Sequence, residues 1–512
     1  MVVLESLPKQ AEFRAIRFIA FDQLSQQSAI IESADKENDL FVLIESDEKV
    51  RAKRWHIQRL FFLIASARHF AADLAAEGFN VAYIKTRNFE VALQEIITSF
   101  PKAEHHAMQP ASIRLTATLR AAGFNIIASD LFLTPIDLFR EWADSKKTLL
   151  MENFYRAQRM RLGLLMDGDQ PLGGTWNLDQ ENRLPPPKGY LWPPYLRHDR
   201  DRIDNEVIAE LRTGYPNLWG DDPDDTWATT RAGALQQLEH FLEHNLEGFG
   251  PLEDAMPDSS ESWQVHHSLL SPYLNNGLLH PREVLDRAIE RFERGDIPLS
   301  SIEGFVRQII GWREYVHGIY WYFGERYRQE NQLRATRPLL PLFYEPERTE
   351  MNCVRRIVTD IKERSWVHHI PRLMVLSNLA LLSAIDPEEF LDWMSEVFID
   401  AYDWVMVPNV IGMGVHADGG RMMTKPYAAG GAYISRMSNY CKGCSFNPKT
   451  RSESNSCPFT TLYWDFLDRN REEFSKNHRI AQQVRGLDRL KDLDELKVRA
   501  SEVLERLVQG TL

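Results

Sequence analysis

Residues 14–45 read RAIRFIAFDQLSQQSAIIESADKENDLFVLIE, and the apolar runs at the two ends decide the first part of the fold. RAIRFIAF (14–21) and DLFVLIE (39–45) are short and dominated by Ile, Phe, Leu and Val. A strand covered on both faces reads that way, because neither face meets water. Working outward, WHIQRLFFLIASARHFAADLAAEGF (55–79) places apolar residues at three- and four-residue steps and stops at Gly78, which predicts a helix. NVAYIK (80–85) predicts a strand, FEVALQEIITSF (89–100) and SIRLTATLRAAGF (112–124) predict helices, and NIIASDLFL (125–133) a closing strand. This alternation implies an α/β domain with a doubly wound parallel sheet over residues 1–140. No GxGxxG follows the first strand, so a dinucleotide site of the usual kind is not expected.

Residues 141–235 read as an irregular connector. They carry GGTWNLDQENRLPPPKGYLWPPY (173–195), rich in Gly, Pro and aromatics, as surface loops are. From 236 to 512 the strand signal fades. ALQQLEHFLEHNL (234–246), PREVLDRAIERFERG (281–295), PRLMVLSNLALLSAI (371–385) and DELKVRASEVLERLV (494–508) all have helical period, which predicts a large all-α domain.

Bulk properties set limits. The 512 residues allow two to four domains, and an apolar fraction of 44% is that of an ordinary soluble chain. No run approaches the ~18 apolar residues of a membrane span. The start, MVVLESLPKQAEFRAIRF, lacks the ordered regions of a signal peptide, so a cytosolic location is expected and structural disulfides are not. A net charge of −13 opposes whole-surface attraction for nucleic acid but leaves room for a local basic patch.

Three of the four cysteines fall in YCKGCSFNPKTRSESNSCPF (440–459): Cys441, Cys444 and Cys457. Cys353 is the fourth. Four thiolates suit a tetrahedral zinc or an iron–sulfur cluster, and the spacing alone leaves both open. Elsewhere, Ser268 and Ser271 flank a Pro-Tyr turn, where hydroxyls either cap a helix or meet a phosphate. His368 and His369 are adjacent, with Arg372 one turn on. The stretch 401–441 is dense in Gly, Asn, Asp and aromatics inside a helical region, as a ligand surface is.

SLLSPYLNNGLLHPREV (268–284), GWREYVHG (311–318), HHIPR (368–372), DWVMVPN (403–409) and TKPYAAGGAYI (424–434), in this order, resemble the photolyase/cryptochrome flavoproteins. GGTWNLDQENR (173–183), FDQLS (21–25) and the four cysteines are similar to the bacterial iron–sulfur branch, the prokaryotic (6-4) photolyases and their cryptochrome-like relatives. The resemblance implies light-driven repair of (6-4) pyrimidine photoproducts in UV-damaged DNA, by an electron from photoexcited, reduced FAD. It implies FAD phosphates by Ser268, Leu270 and Ser271, an Arg372–Asp403 pair against the flavin ring, and Asn409 near its reactive nitrogen. His369 is then the essential histidine, with His368 as its support and Leu373 where eukaryotic relatives have a second. Trp393 is the electron-transfer residue nearest the flavin. Further out Glu345 replaces a tryptophan, and Tyr344 or Tyr402 is the candidate substitute. Trp312 and Tyr427 are candidates to meet flipped bases, Trp176 to Arg183 to fill the duplex gap, and Arg313, Lys425 and Arg421 to meet phosphates. The cysteines become ligands of a [4Fe-4S] cluster. The first domain is expected to hold 6,7-dimethyl-8-ribityllumazine as antenna through Asp22, Gln23, Leu24 and Glu45, although Phe21 replaces the usual glycine. The implied protein is a monomer with no obligate partner and no membrane association. A photoreceptor of the same fold is the second reading. An iron–sulfur DNA-binding protein without flavin, similar to primase large subunits, is the third.

Overall fold

The computed structural model describes residues 3–8 and 12–512, so the segment read for a leader lies partly outside the described residues. Five parallel strands, β1 (Ala15–Phe18), β2 (Asp39–Ser46), β3 (Asn80–Thr86), β4 (Glu104–Met108) and β5 (Asn125–Ile127), form one sheet in the order β3-β2-β1-β4-β5. Phe18 stands opposite Val42 on one side and Ala107 on the other. β1 is buried end to end and β2 at every position but Glu45, as the apolar runs require. Asp39 at the start of β2 takes Arg17 at 2.7 Å and Arg14 at 2.7 Å, which ties the first two strands together.

The sequence reading overlooked β4. EHHAM buries only Ala107 and Met108, and its polar first half carries no strand signal. It pairs because β1 and β5 offer edges to it, a tertiary decision. NIIASDLFL likewise pairs only over Asn125–Ile127. Its remainder turns toward the helical domain, where Phe132 stacks on His317 with ring centroids 3.5 Å apart. The strand order reverses between β1 and β4. The crevice beyond those two strand ends is the topological switch point, where α/β sheets bind ligands.

The connector is less irregular than its Gly and Pro content suggests. Helices Met151–Leu162 and Arg202–Gly214 lie within it. The first buries Met151, Phe154 and Tyr155 on one face; the second starts with a reciprocal capping box of Asp201 and Asp204. The loop reading holds for the Pro-rich part alone.

Beyond Arg231 the chain is helical. Three segments widen into π turns: Arg307–Arg313, Pro371–Ser377 and Pro408–Gly414. Such turns insert a residue, bulge the backbone and recur at functional sites. Each carries residues singled out above: Trp312 and Arg313, Arg372, and Asn409. The two domains meet at Gly277, whose φ is +87° and where a Cβ would stand 2.9 Å from the Leu24 nitrogen. Only glycine permits that approach. The Leu24 N–H donates to the Asn276 carbonyl at 2.8 Å across the same contact. Among the described residues no helix is long and apolar enough to cross a membrane.

Candidate active site

Arg372 leaves the second π turn and is held in place by Asp400, with contacts of 2.8 and 3.1 Å to the two carboxylate oxygens. Its Nε donates to the Val367 carbonyl and its guanidinium lies 4.0 Å from the Phe398 ring centroid. The expected partner was Asp403, and the structure corrects this. Asp403 opens the helix Asp403–Val407, while Asp400 stands in the preceding turn where both carboxylate oxygens reach the arginine. Asp400 also accepts the Ser271 hydroxyl at 2.7 Å, and Ser268 Oγ accepts the Leu270 N–H at 3.3 Å. Leu269 between them adopts a left-handed φ of 58°. The two serines are thus joined to the Arg372–Asp400 pair or to their own turn.

Three histidines gather beside this pair. His267, His368 and His369 each present a ring nitrogen within 4.8 Å of the others. His267 donates from Nε2 to the Glu253 carbonyl at 3.1 Å and stacks on His368, with centroids 4.4 Å apart and planes 22° apart. Ring lone pairs lie in the ring plane, so stacked rings do not converge on one ion, and the cluster is not a metal site. His368 is buried and serves as packing beneath His369. His369 is the outer member, its side chain 45% exposed to the cleft. Protein surrounds it on its other sides. Burial, then Arg307 and Arg372, pushes its pKa down to about 4.

The cleft in front of His369 assembles from segments far apart in sequence. Asp254 Oδ1 lies 3.8 Å from His369 Nε2. Asp179 in the connector pairs with Arg183 and, at 3.2 Å, with Arg307 of the first π turn. Arg183 and Asp254 both act electrostatically on Tyr427 and Tyr433. Underneath, Glu253 is buried beside Arg307 and Asn182, and burial raises its pKa to about 8. Sequence reasoning found His369, Arg183 and Tyr427 but missed Asp179, Glu253, Asp254, His267 and Arg307. Asp179 lay inside a quoted motif and His267 in an adjacent pair; the LEDAM loop carries no signal of its own.

Other candidates are placed elsewhere. Arg313 cannot meet a phosphate: its side chain is 8% exposed, pairs with Glu314 at 2.9 Å, and lies over the Phe132 and Trp404 rings. Trp176 does not reach out as a wedge. It lies beside Arg156 and Arg159, and its carbonyl accepts from Arg159. In the Pro-rich part of the connector the exposed large apolar side chains are instead Leu184, Tyr190 and Leu191. Trp312 is half-buried against Tyr315, and Arg421 pairs with Glu330 at 2.6 Å.

The chain is 40% identical over 500 residues to the (6-4) photolyase of Agrobacterium fabrum, covering 95% of this chain and 98% of that one. It belongs to the photolyase/cryptochrome family. The pattern of the deoxyribodipyrimidine photo-lyase-related proteins matches residues 17–227. A bacterial class III photolyase from Agrobacterium tumefaciens shares the fold with a TM-score of 0.52 and 17% identity, over 84% of this chain and 87% of that one. The cryptochrome of Synechocystis sp. PCC6803 does so with a TM-score of 0.53 and 13% identity, over 84% and 89%.

The photolyase/cryptochrome family implies FAD, and the residues around Asp400 fit a polar, ring-bearing ligand. Two buried donors without a protein partner stand there, Arg59 Nη1 and the Tyr402 hydroxyl. Arg59 lies 5.7 Å from the Tyr402 ring and feels Asp400 and Asp403. Buried polar groups rarely stay unpaired, so such a set points to a ligand. Asn409 is half-buried in the third π turn. Trp393 is fully buried, stacked on Phe390 and donating to the Phe343 carbonyl at 3.0 Å. Tyr344 donates its hydroxyl to Glu396 at 2.6 Å and stands 5.7 Å from Trp219, while Glu345 is an exposed partner of Arg348.

The four cysteines line one cavity with Met351, Ile434, Phe446 and Phe459. Cys353 opens the helix Asn352–Arg364 and Cys457 caps the helix Pro458–Arg469. A Cβ at Gly431 would stand 2.7 Å from the Cys457 sulfur, so the wall must be glycine. No three of the sulfurs lie within 4.8 Å of one another. A tetrahedral zinc would draw them to about 3.8 Å, given Zn–S bonds of about 2.3 Å. Burial pushes the Cys457 thiol up to about 11 and raises those of Cys353 and Cys441, and a bound metal would hold them as thiolates.

At the switch point the candidate antenna residues are bonded to the protein itself. Gln23 donates to the Met108 carbonyl at 2.9 Å and accepts the Ala20 N–H. Asp22 Oδ2 accepts the Ala111 N–H at 2.9 Å. Leu24 is core. Glu45 is gripped by Arg68 at 3.0 Å and by the Tyr83 hydroxyl at 2.6 Å, and Phe21 stacks on Tyr83. Of the four expected antenna residues, only Asp22 keeps an unpaired atom, Oδ1. These residues do not fit the lumazine that the resemblance implied, because their polar atoms already hold the loop and one another.

Proposed function

We propose that this chain is a (6-4) photolyase, a light-dependent lyase that repairs (6-4) pyrimidine photoproducts in UV-damaged DNA. The full-length identity to an enzyme of that name carries the reading. The cleft around His369 supports it. Bound FAD supplies the light-driven electron. The side chains do the rest. Arg372 with Asp400, Ser268, Leu270, Ser271 and Asn409 hold the flavin. Trp393, with Tyr344 beyond it, is the route by which electrons reach it. His369 moves the proton that the lesion's hydroxyl transfer needs, and a histidine serves well in that role. Arg183 is exposed at the cleft mouth to meet a phosphate, and Tyr427 offers a face to an unstacked base. Leu184, next to Arg183, is the apolar side chain placed to enter the duplex gap.

Cys353, Cys441, Cys444 and Cys457 are read as ligands of a [4Fe-4S] cluster. Sulfurs spread wider than zinc allows, around an apolar cavity, support the cluster over the single ion. The first domain is read as a scaffold without lumazine. The protein is taken to act as a cytoplasmic monomer.

The test uses purified, photoreduced protein and an oligonucleotide with one (6-4) thymine lesion under blue light. Loss of the lesion with wild type and its retention with His369→Ala support the reading. Retention with both, at normal flavin content, replaces it with the photoreceptor.

A further inference from the structure

Asp254 and His369 face one another across 3.8 Å at the mouth of the cleft. Both are partly open to it, at 19% and 45% of their side chains. Among the described residues neither carboxylate oxygen of Asp254 nor either ring nitrogen of His369 has a hydrogen-bond partner. Around them most side chains are tied to one another: His267 to the Glu253 carbonyl, Asn182 and Gln308 to Glu253, Arg183 and Arg307 to Asp179. The two unpaired groups form an acid–base couple open to the cleft.

The charges around them say where a proton stays. Asp254 faces Asp179 and Arg183 from the connector, Arg307 from the first π turn, and Tyr433 from the helix Gly431–Met437. His369 faces Arg307, Arg372 and Asp179, with His267 and His368 behind it. Asp179, Glu253, Asp254 and Glu303 stand around Arg307 and Arg183, and burial raises the pKa values of Glu253 and Asp254 among them.

We propose that Asp254 is the proton partner of His369: the two side chains hold one proton between them, and Asp254 acts through the histidine as a positioning residue. In the transfer the O–H bond on Asp254 breaks as an N–H bond forms at His369 Nε2, leaving a carboxylate beside an imidazolium. Return of the proton restores both. No electrons change hands. Burial and Asp179 lift Asp254 to about 6, while His369 lies at about 4, so below about pH 6 the proton of the pair rests on the carboxyl. Leu373, where a second histidine stands in eukaryotic relatives, leaves this role to an acid from another loop.

The inference rests on His369 as the proton-moving group of the proposed repair, so the experiment keeps the two separate. Full-length holoprotein is prepared as wild type, Asp254→Asn and Asp254→Glu. The ring nitrogens of His369 are titrated by NMR in the dark without DNA, with His369→Ala for assignment. Repair per absorbed photon and lesion-DNA affinity are then measured from pH 5 to 9. Asp254→Asn is expected to shift the His369 titration, remove the limb of the repair profile near pH 6, and slow repair roughly 100-fold at little change in affinity. Asp254→Glu is expected to restore most of the rate and the limb. A His369 titration and pH profile unmoved by Asp254→Asn overturn the proposal, as does a glutamate variant no better than the asparagine one. Should wild type repair nothing, the proposed function fails, and the dark titration alone then decides whether the pair shares a proton. Should Asp254→Asn not fold, the titration of Asp254→Glu against wild type decides.

Discussion

The crevice beyond β1 and the cleft before His369 are both lined by acids and aromatics, yet their side chains behave in opposite ways. In the crevice Gln23 and Glu45 have their polar atoms bound inside the protein, and Phe21 lies over Tyr83. In the cleft Asp254 and His369 keep theirs free. A polar side chain satisfied by its own backbone is scaffold. One left unpaired at a concave surface, against the cost of desolvation, is there for something that arrives.

Breaking the cleft should have the largest effect. His369→Ala should slow repair of a (6-4) lesion by roughly 100-fold or more while lesion binding, measured by gel shift, persists. Glu45→Gln in the crevice should leave the repair rate unchanged, and a matching loss there would erase the contrast.

Stability comes next. Asp400→Asn should destabilise the chain by about 3–5 kcal/mol in urea unfolding, because it strands Arg372 in a buried site. Asp403→Asn, which leaves that pair intact, should stay within about 0.5 kcal/mol. Equal effects would return the pairing to Asp403.

The pH dependence sharpens the difference further. Burial raises Glu253 to about 8 in the folded chain from an ordinary 4.5. Between those values the folded state holds more protons than the unfolded one. The contribution to stability is therefore full at the acid end and is lost as pH rises through about 8. Thermal unfolding should occur at a lower temperature at pH 8.5 than at pH 6, and Glu253→Gln should flatten that slope.

The smallest expected signal is in the crevice. Lumazine supplied during expression should not copurify with the wild-type chain, as read by its absorption after flavin release. A bound lumazine would show that the Glu45–Arg68–Tyr83 set opens, and the two regions would then be alike.

Much of this was legible in advance. Runs such as DLFVLIE announce buried strands because apolar residues have nowhere else to go, and the helical periods downstream announce packed helices. The cysteines, His369, Arg183 and Tyr427 were also legible, since they sit in short motifs whose chemistry is local. EHHAM was not, because its strand state is imposed by two neighbours. Arg313 looked like a surface cation and is a buried one, since Glu314 and two aromatic rings enclose it. Asp254 was invisible for a simpler reason: an acid in a loop has no pattern, and its meaning comes from a histidine 115 residues away.

The sequence by itself determined most of the order of strands and helices along the chain, the family, and which residue types the chemistry can draw on. Those follow from hydrophobic periodicity and local motifs, which act over a few residues. Only the tertiary structure decided that Arg372 pairs with Asp400, that Gln23 and Glu45 bond within the protein, and that Asp254 meets His369. Each of these depends on distances between segments far apart in the chain, and packing alone fixes such distances.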